Sequence, residues 1–227
     1  MGNNDKKMYF LVISGIDGSG KTTIINRLEQ KLKENGKQTL TIWLRFNHYL
    51  VKPVHGFCRI VGLSKKHKTP SGHVWRHEFY KSTLFIWLYI NLTYIDTLIG
   101  KARLYRKIKR ENKHLDYIIC DRWINDIVID LGTKKHDGNF LDTGYYTKFQ
   151  RILPENTLQF VIFRDQEKLL ECRTENREDP DFLLRSELYN KIKLKEGVYI
   201  LDNSGTIDAC VDSILSDLEK HSWNFNN

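Results

Sequence analysis

The chain has 227 residues, a formal net charge of +8, 41% apolar residues and 12% aromatic residues. That much apolar material excludes wholesale disorder, and the length suits one sizeable α/β domain over residues 1–227. Cys58, Cys120, Cys172 and Cys210 lie far apart, without CxxC or metal-site spacing. They read as free thiols in a reducing cytoplasm.

Residues 1–8 are polar and charged, so no signal peptide is expected. Phe10 to Ile13 is a short apolar run that reads as a buried strand. Ile24, Leu28 and Leu32 then recur at helical spacing, and Gly36 marks that helix's end. "KQTLTIWLRF", residues 37–46, reads as a second strand. Residues 46–76 hold Pro53, Gly56, Gly62, Pro70 and Gly72 and read as an irregular insertion. A long helix is expected from about Arg76 to Asn112, with a break near Gly100. Within it, "TLFIWLYINLTYIDTLIG" is interrupted by Asn91 and Asp96, so it reads as a core helix rather than a membrane span, and no membrane partner is expected.

"LDYIICDRW", residues 115–123, reads as a third strand ending at Asp121. A polar loop with Gly132, Gly138 and Gly144 should lead to a short helix over Tyr145–Leu153. "TLQFVIF" (157–163) and "GVYILD" (197–202) read as the fourth and fifth strands. Two helices split by a charged turn lie between them, and an amphipathic helix closes the chain. This alternation implies a five-stranded parallel sheet with helices on both faces and ligands at the carboxyl ends of its strands.

Between the first strand and first helix, Gly15-x-x-x-x-Gly20-Lys21-Thr22 fits the phosphate-binding loop in its required strand–loop–helix context. The loop Gly15, Ile16, Asp17, Gly18, Ser19, Gly20, Lys21, Thr22 and Thr23 is therefore the expected ATP site. Its amides make an anion cradle, Lys21 reaches the β/γ-phosphates, and Thr22 ligates magnesium. Asp121, ending an apolar strand, is the second expected magnesium carboxylate, and Arg122 beside it suits a phosphate. The histidines at 48, 55, 67, 73 and 77 lack zinc-site spacing. The basic stretches 64–73 and 101–110 carry no interleaved aromatic pattern, so a nucleic-acid platform is the minor reading.

Four segments in order resemble the thymidylate kinase-like branch of the nucleoside monophosphate kinases. They are "GIDGSGKTT" (15–23), "DRWINDIVIDLG" (121–132), "RTENREDPDFLLRSELYNKI" (173–192) and "VYILDNSGTIDACVDSI" (198–214). The resemblance implies a three-layer P-loop kinase fold with a short helical lid at about 173–182. It also implies transfer of the ATP γ-phosphoryl to a nucleotide phosphate, with dTMP the leading acceptor. Arg122 would then hold the acceptor phosphate, with Trp123 beside the acceptor, Asp17 orienting it, and Arg45 a looser match to a second acceptor arginine. Lid residues Arg173 and Arg177 would supply the transition-state cation that Gly18 cannot. The family often dimerises through a long apolar helix, and residues 83–99 could serve that contact or equally an intramolecular core.

Three departures weaken the base assignment. "LRFNHY" stands where the family has Arg-Glu-Pro, Asp126 replaces a usual serine, and "YINLTYID" lacks the Ala-Asp-Arg segment. A deoxynucleoside kinase, a kinase of another phosphorylated metabolite, and a nucleic-acid-associated P-loop ATPase are the competing functions.

Overall fold

The computed structural model describes residues 7–45, 49–69, 72–111, 114–172 and 179–224. Five parallel strands form its sheet: β1 (Tyr9–Gly15), β2 (Thr39–Trp43), β5 (Tyr117–Asp121), β6 (Thr157–Phe163) and β7 (Val198–Asp202). Their order across the sheet is β2-β5-β1-β6-β7. Residues alternate between the two faces, as strand pleating requires. Phe10 and Val12 of β1, with Ile118 and Cys120 of β5, enter one core; Leu11 and Ile13, with Ile119, enter the other.

The second core is closed by Ile24, Leu28 and Leu32 of α1 (Lys21–Glu34) and by Val211, Ile214 and Leu218 of α8 (Ile207–Asn224). The first is closed by α3 (Thr83–Arg110), α4 (Ile124–Lys135), α5 (Gly144–Gln150), α6 (Gln166–Cys172) and α7 (Phe182–Ile192). The central strand β1 pairs β5 on one side and β6 on the other. The chain therefore leaves β1 at a point where the strand order reverses, and a crevice opens there in such sheets.

Three expectations are corrected. The insertion 46–76 has regular structure: α2 (Val51–Ile60), then an antiparallel pair of β3 (Ser64–Thr69) and β4 (Gly72–His77). Pro53 falls in the first turn of α2, where a missing N–H costs no helical bond, so it does not break the helix. The long helix begins at Thr83 rather than Arg76, because β4 and a 3-10 turn at Phe79–Lys81 occupy the earlier residues. It continues through Gly100, which is buried. Only 39% of its most apolar window is buried, although the helix has the length and composition to cross a membrane. The core-helix reading therefore describes one face of α3.

The third correction is α4, which stands where a polar loop was expected. Gly132 reads as a breaker, but it is a packing position. A Cβ there would stand 2.9 Å from Phe140 Cβ and 3.0 Å from Leu188 Cδ1. The helix ends instead at His136, which takes the left-handed conformation at φ 55°. We expect Gly132→Ala to destabilise the protein by about 1–3 kcal/mol through overpacking, read as a lower urea midpoint. An unchanged midpoint would mean that α4 and α7 separate at little cost.

Candidate phosphate-loop site

Gly15, Gly18 and Gly20 take φ values of 150°, 93° and 94°, which side chains rarely adopt. The chain can therefore wrap from β1 to α1 in five residues, 16–20. Gly20 caps α1 without any side-chain hydrogen bond, and the first intrahelical bond is Ile24 N–H to Gly20 O, so the first-turn amides of Lys21, Thr22 and Thr23 have no intrahelical acceptor. The Thr22 and Thr23 side chains are exposed. Two residues that the sequence did not single out fix this loop. Buried Asn203, just past β7, donates from Nδ2 to Ser19 O at 2.8 Å. Arg164, just past β6, donates to Gly18 O at 3.3 Å. Asn203 sits in "DNSG", which in sequence reads only as turn chemistry.

Lys21 is buried, and its Nζ donates to Ile16 O at 2.7 Å and Ser19 Oγ at 3.4 Å. Burial, with Arg122 nearby, pushes its pKa down to about 8, against the pull of Asp126, Asp17 and Asp121. Asp121 lies in register with Ile13 on the adjacent strand. Its carboxyl is raised by burial, with Arg122 and Lys21 opposing.

Arg122 leaves β5 at φ 63°, a region that costs a non-glycine residue roughly 1–3 kcal/mol and persists only where the surroundings fix it. The surroundings do. Its N–H donates to Ile13 O at 2.9 Å, and its buried guanidinium donates to Gly15 O at 3.1 Å and Asp126 Oδ1 at 2.6 Å. The second terminal nitrogen donates to Asp17. Burial raises the Asp17 carboxyl, but Arg122, Lys21 and Arg45 outweigh it and hold the group below its ordinary value.

Asp126 and Asp130 stand one turn apart on α4. The first also accepts the Tyr189 hydroxyl at 2.7 Å, while the second takes both ends of the Arg45 fork at 3.0 Å. Arg45 lies 3.7 Å from Asp17, and Arg185 of α7 pairs with Asp179 at 2.5 Å. The structure thus brings Asp17, Lys21, Arg45, Asp121 and Arg122 together. It adds Asp126, Asp130, Tyr189 and Arg185, to which sequence reasoning gave no role in the site. Had α4 been legible as a helix, the 122/126/130 spacing would have pointed to the two carboxylates.

Trp123 is not brought to the site surface: it is 1% exposed, in the core with Ile124 and Tyr189. Arg173 and Arg177 lie outside the described residues. Among the described residues no group of three His, Cys, Asp or Glu side chains could hold a metal ion.

A cavity of about 460 Å³ opens on the β6–β7 side of the loop. Ile16, Ser19, Arg164, Ser186, Asn190 and Asp202 are among its lining residues. Arg164 Nε and Ser186 Oγ are buried there without a hydrogen-bond partner among the described residues. Compared with models of protein families and with curated proteins, the chain matches none.

Proposed function

We propose that the chain is an ATP-dependent phosphotransferase of the thymidylate kinase-like kind, with a P-loop kinase fold. It would move the γ-phosphoryl of ATP to a nucleoside monophosphate, dTMP being the leading acceptor (dTMP + ATP to dTDP + ADP). The observation that carries this reading is the bonding of Arg122 to the loop: its guanidinium donates to Gly15 O, next to Lys21 and Asp121. A loop suited to donor phosphates and an arginine suited to an acceptor phosphate then form one rigid unit, as in-line transfer requires.

The residues fit the donor. A Cβ on Gly20 would collide with Asn203, so the loop is shaped for backbone approach. The Thr22 hydroxyl and Asp121 carboxylate are oxygen donors, which magnesium prefers. Bound there, magnesium would supply charge neutralisation across the phosphates. Lys21 must leave Ile16 O to reach a donor phosphate, and a dianion beside it would restore its full charge. Arg122 and Arg45 would orient the acceptor phosphate, each giving up its contact with Asp17. The cavity beside the loop would take the donor's base. Residues 1–227 would then form one catalytic unit, acting on small nucleotides in the cytoplasm.

A specific observation also favours the deoxynucleoside kinase reading. Arg45, Arg122 and Arg185 each have a carboxylate partner already. A neutral acceptor would leave these pairs intact, whereas a phosphate must compete with Asp17. Incubation with ATP and magnesium against a panel of nucleosides and nucleoside monophosphates separates the two. Faster phosphorylation of dTMP than of thymidine supports the first reading, the reverse order supports the second, and no transfer to any nucleoside or nucleotide sinks both.

A further inference from the structure

The charge of this protein is divided unevenly. Residues 35–110 carry 15 of the 36 basic and 2 of the 28 acidic side chains, a balance of +13. The rest of the chain carries 21 and 26, a balance of −5. No acidic residue occurs between Glu34 and Glu78, and the one within α3, Asp96, is buried.

The same segment exposes apolar surface. Twelve of the fifteen large apolar side chains exposed among the described residues lie between Trp43 and Tyr105. Ile60 is 82% exposed, Leu84 68%, Trp87 53% and Phe57 51%. These residues are neighbours, because α2 packs on α3 and the Phe57 ring stacks on Phe85 with centroids 6.0 Å apart. Along α3 the stripe continues through Ile95, Leu98 and Tyr105, which follow Trp87 by eight, eleven and eighteen residues and so share one helical face. Exposed Lys52, Lys65, Lys66, Arg106 and Lys109 flank it.

We propose that this surface, formed by α2, the β3–β4 strand pair and the outer face of α3, lies on an anionic lipid membrane. Aliphatic and aromatic side chains on one face with lysines and arginines around them form the pattern of an interfacial helix. Phe57, Ile60, Leu84 and Trp87 enter the headgroup boundary while the cations meet lipid phosphates. The helix does not span. Its inner face is tied to the core by Asp96, whose carboxylate accepts the Leu50 and Val51 N–H groups at 2.8 and 3.1 Å, and by buried Tyr89 and Ile90.

The charge selects this occupant. A second copy on the same face would bring Lys52, Lys65, Lys66 and Lys109 of one copy towards the same lysines of the other, and like charges repel across an isologous contact. A nucleic acid would match the charge, and Phe57, Trp87 and Tyr105 offer it stacking planes, but the aliphatic Ile60, Leu84, Ile95 and Leu98 on the same face would find no apolar partner on a phosphate backbone. This inference is independent of the phosphotransferase reading, because none of these side chains belongs to the loop site.

Sedimentation of the full chain with vesicles tests it. One set is phosphatidylcholine alone, and the other roughly three parts phosphatidylcholine to one part phosphatidylglycerol. We expect binding to the anionic set only, with release at about 0.5 M salt. Arg106→Glu with Lys109→Glu should weaken it more than about tenfold, since each cation near such a surface contributes about one decade or somewhat less. Ile60→Ser with Trp87→Ser should weaken binding while leaving the circular dichroism and melting temperature of the wild type. Equal binding to both vesicle sets, binding to neither, or insensitivity to both double variants overturns the proposal. So does a stable dimer that excludes vesicles, or single-stranded DNA that binds at the same salt and displaces them.

Discussion

Lys21→Met should lower phosphoryl transfer by about a thousandfold or more, because a cation aimed at the migrating phosphoryl group acts mainly in the transition state. The same substitution should make the unliganded protein more stable at pH 7. Burial and the nearby Arg122 hold Lys21 at about 8, below its ordinary 10.5. Between those values the unfolded chain binds a proton that the folded chain has released, so stability rises with pH across this window. Below pH 8 the penalty is fully present, at most about 3 kcal/mol at roughly 1.4 kcal/mol per pH unit.

Methionine removes that penalty, though not all of the gain is kept. Asp121, already raised by burial, loses one of its two opposing cations. Urea midpoints at pH 7 and pH 10.5 should therefore show a stabilised variant at the lower pH and convergence at the higher. Loss of activity with gain of stability cannot be explained by unfolding. Turnover within about tenfold of wild type would remove Lys21 from the chemistry. An unchanged midpoint at pH 7 would mean that the buried ammonium is compensated more fully than its neighbours suggest.

Lys21 was legible in the sequence because the whole phosphate loop is contiguous, and its glycines, lysine and threonine sit between an apolar run and a periodic one. The five strands were legible for a related reason. Central parallel strands are buried on both faces, so β1 and β5 appear as apolar runs, and β6 as one interrupted only by Gln159. Where the reading failed, local chemistry pointed one way and tertiary packing another. Gly132 looks like a loop signal until Phe140 and Leu188 come within reach of it. The β3 segment "SKKHKT" has no apolar alternation and finds its hydrogen bonds only in β4. The carboxylates of the site were hidden by distance along the chain. Arg45 meets Asp130 across 85 positions, and Tyr189 meets Asp126 across 63, with no local signal for either. Trp123 shows the converse. A motif position that suggested contact with substrate is filled by a side chain that the core absorbs.

Arg122→Ala should have two separable effects, one on stability and one on the acceptor. Asp126 is buried and bonded to Arg122 and Tyr189, and its Oδ2 has no hydrogen-bond partner among the described residues. Removing the guanidinium strands that carboxylate, and breaking a buried pair from one side costs about 3–5 kcal/mol. Relief of the positive φ at position 122 returns little of it, because alanine also carries a Cβ. A lower melting temperature would therefore follow even if Arg122 never touched a substrate. The double variant Arg122→Met with Asp126→Leu removes both charges and keeps side-chain volume. Its stability should return to within about 1–2 kcal/mol of wild type, since a buried pair replaced by apolar groups is often neutral. The acceptor should tell the rest. If Arg122 orients the acceptor phosphate, the double variant regains stability without activity: its acceptor KM rises more than about tenfold and kcat falls, while the KM for ATP stays within about twofold. A folded double variant with wild-type kinetics would reduce Arg122 to a strut between the loop and α4. Equal weakening of ATP and acceptor would move it to the donor side.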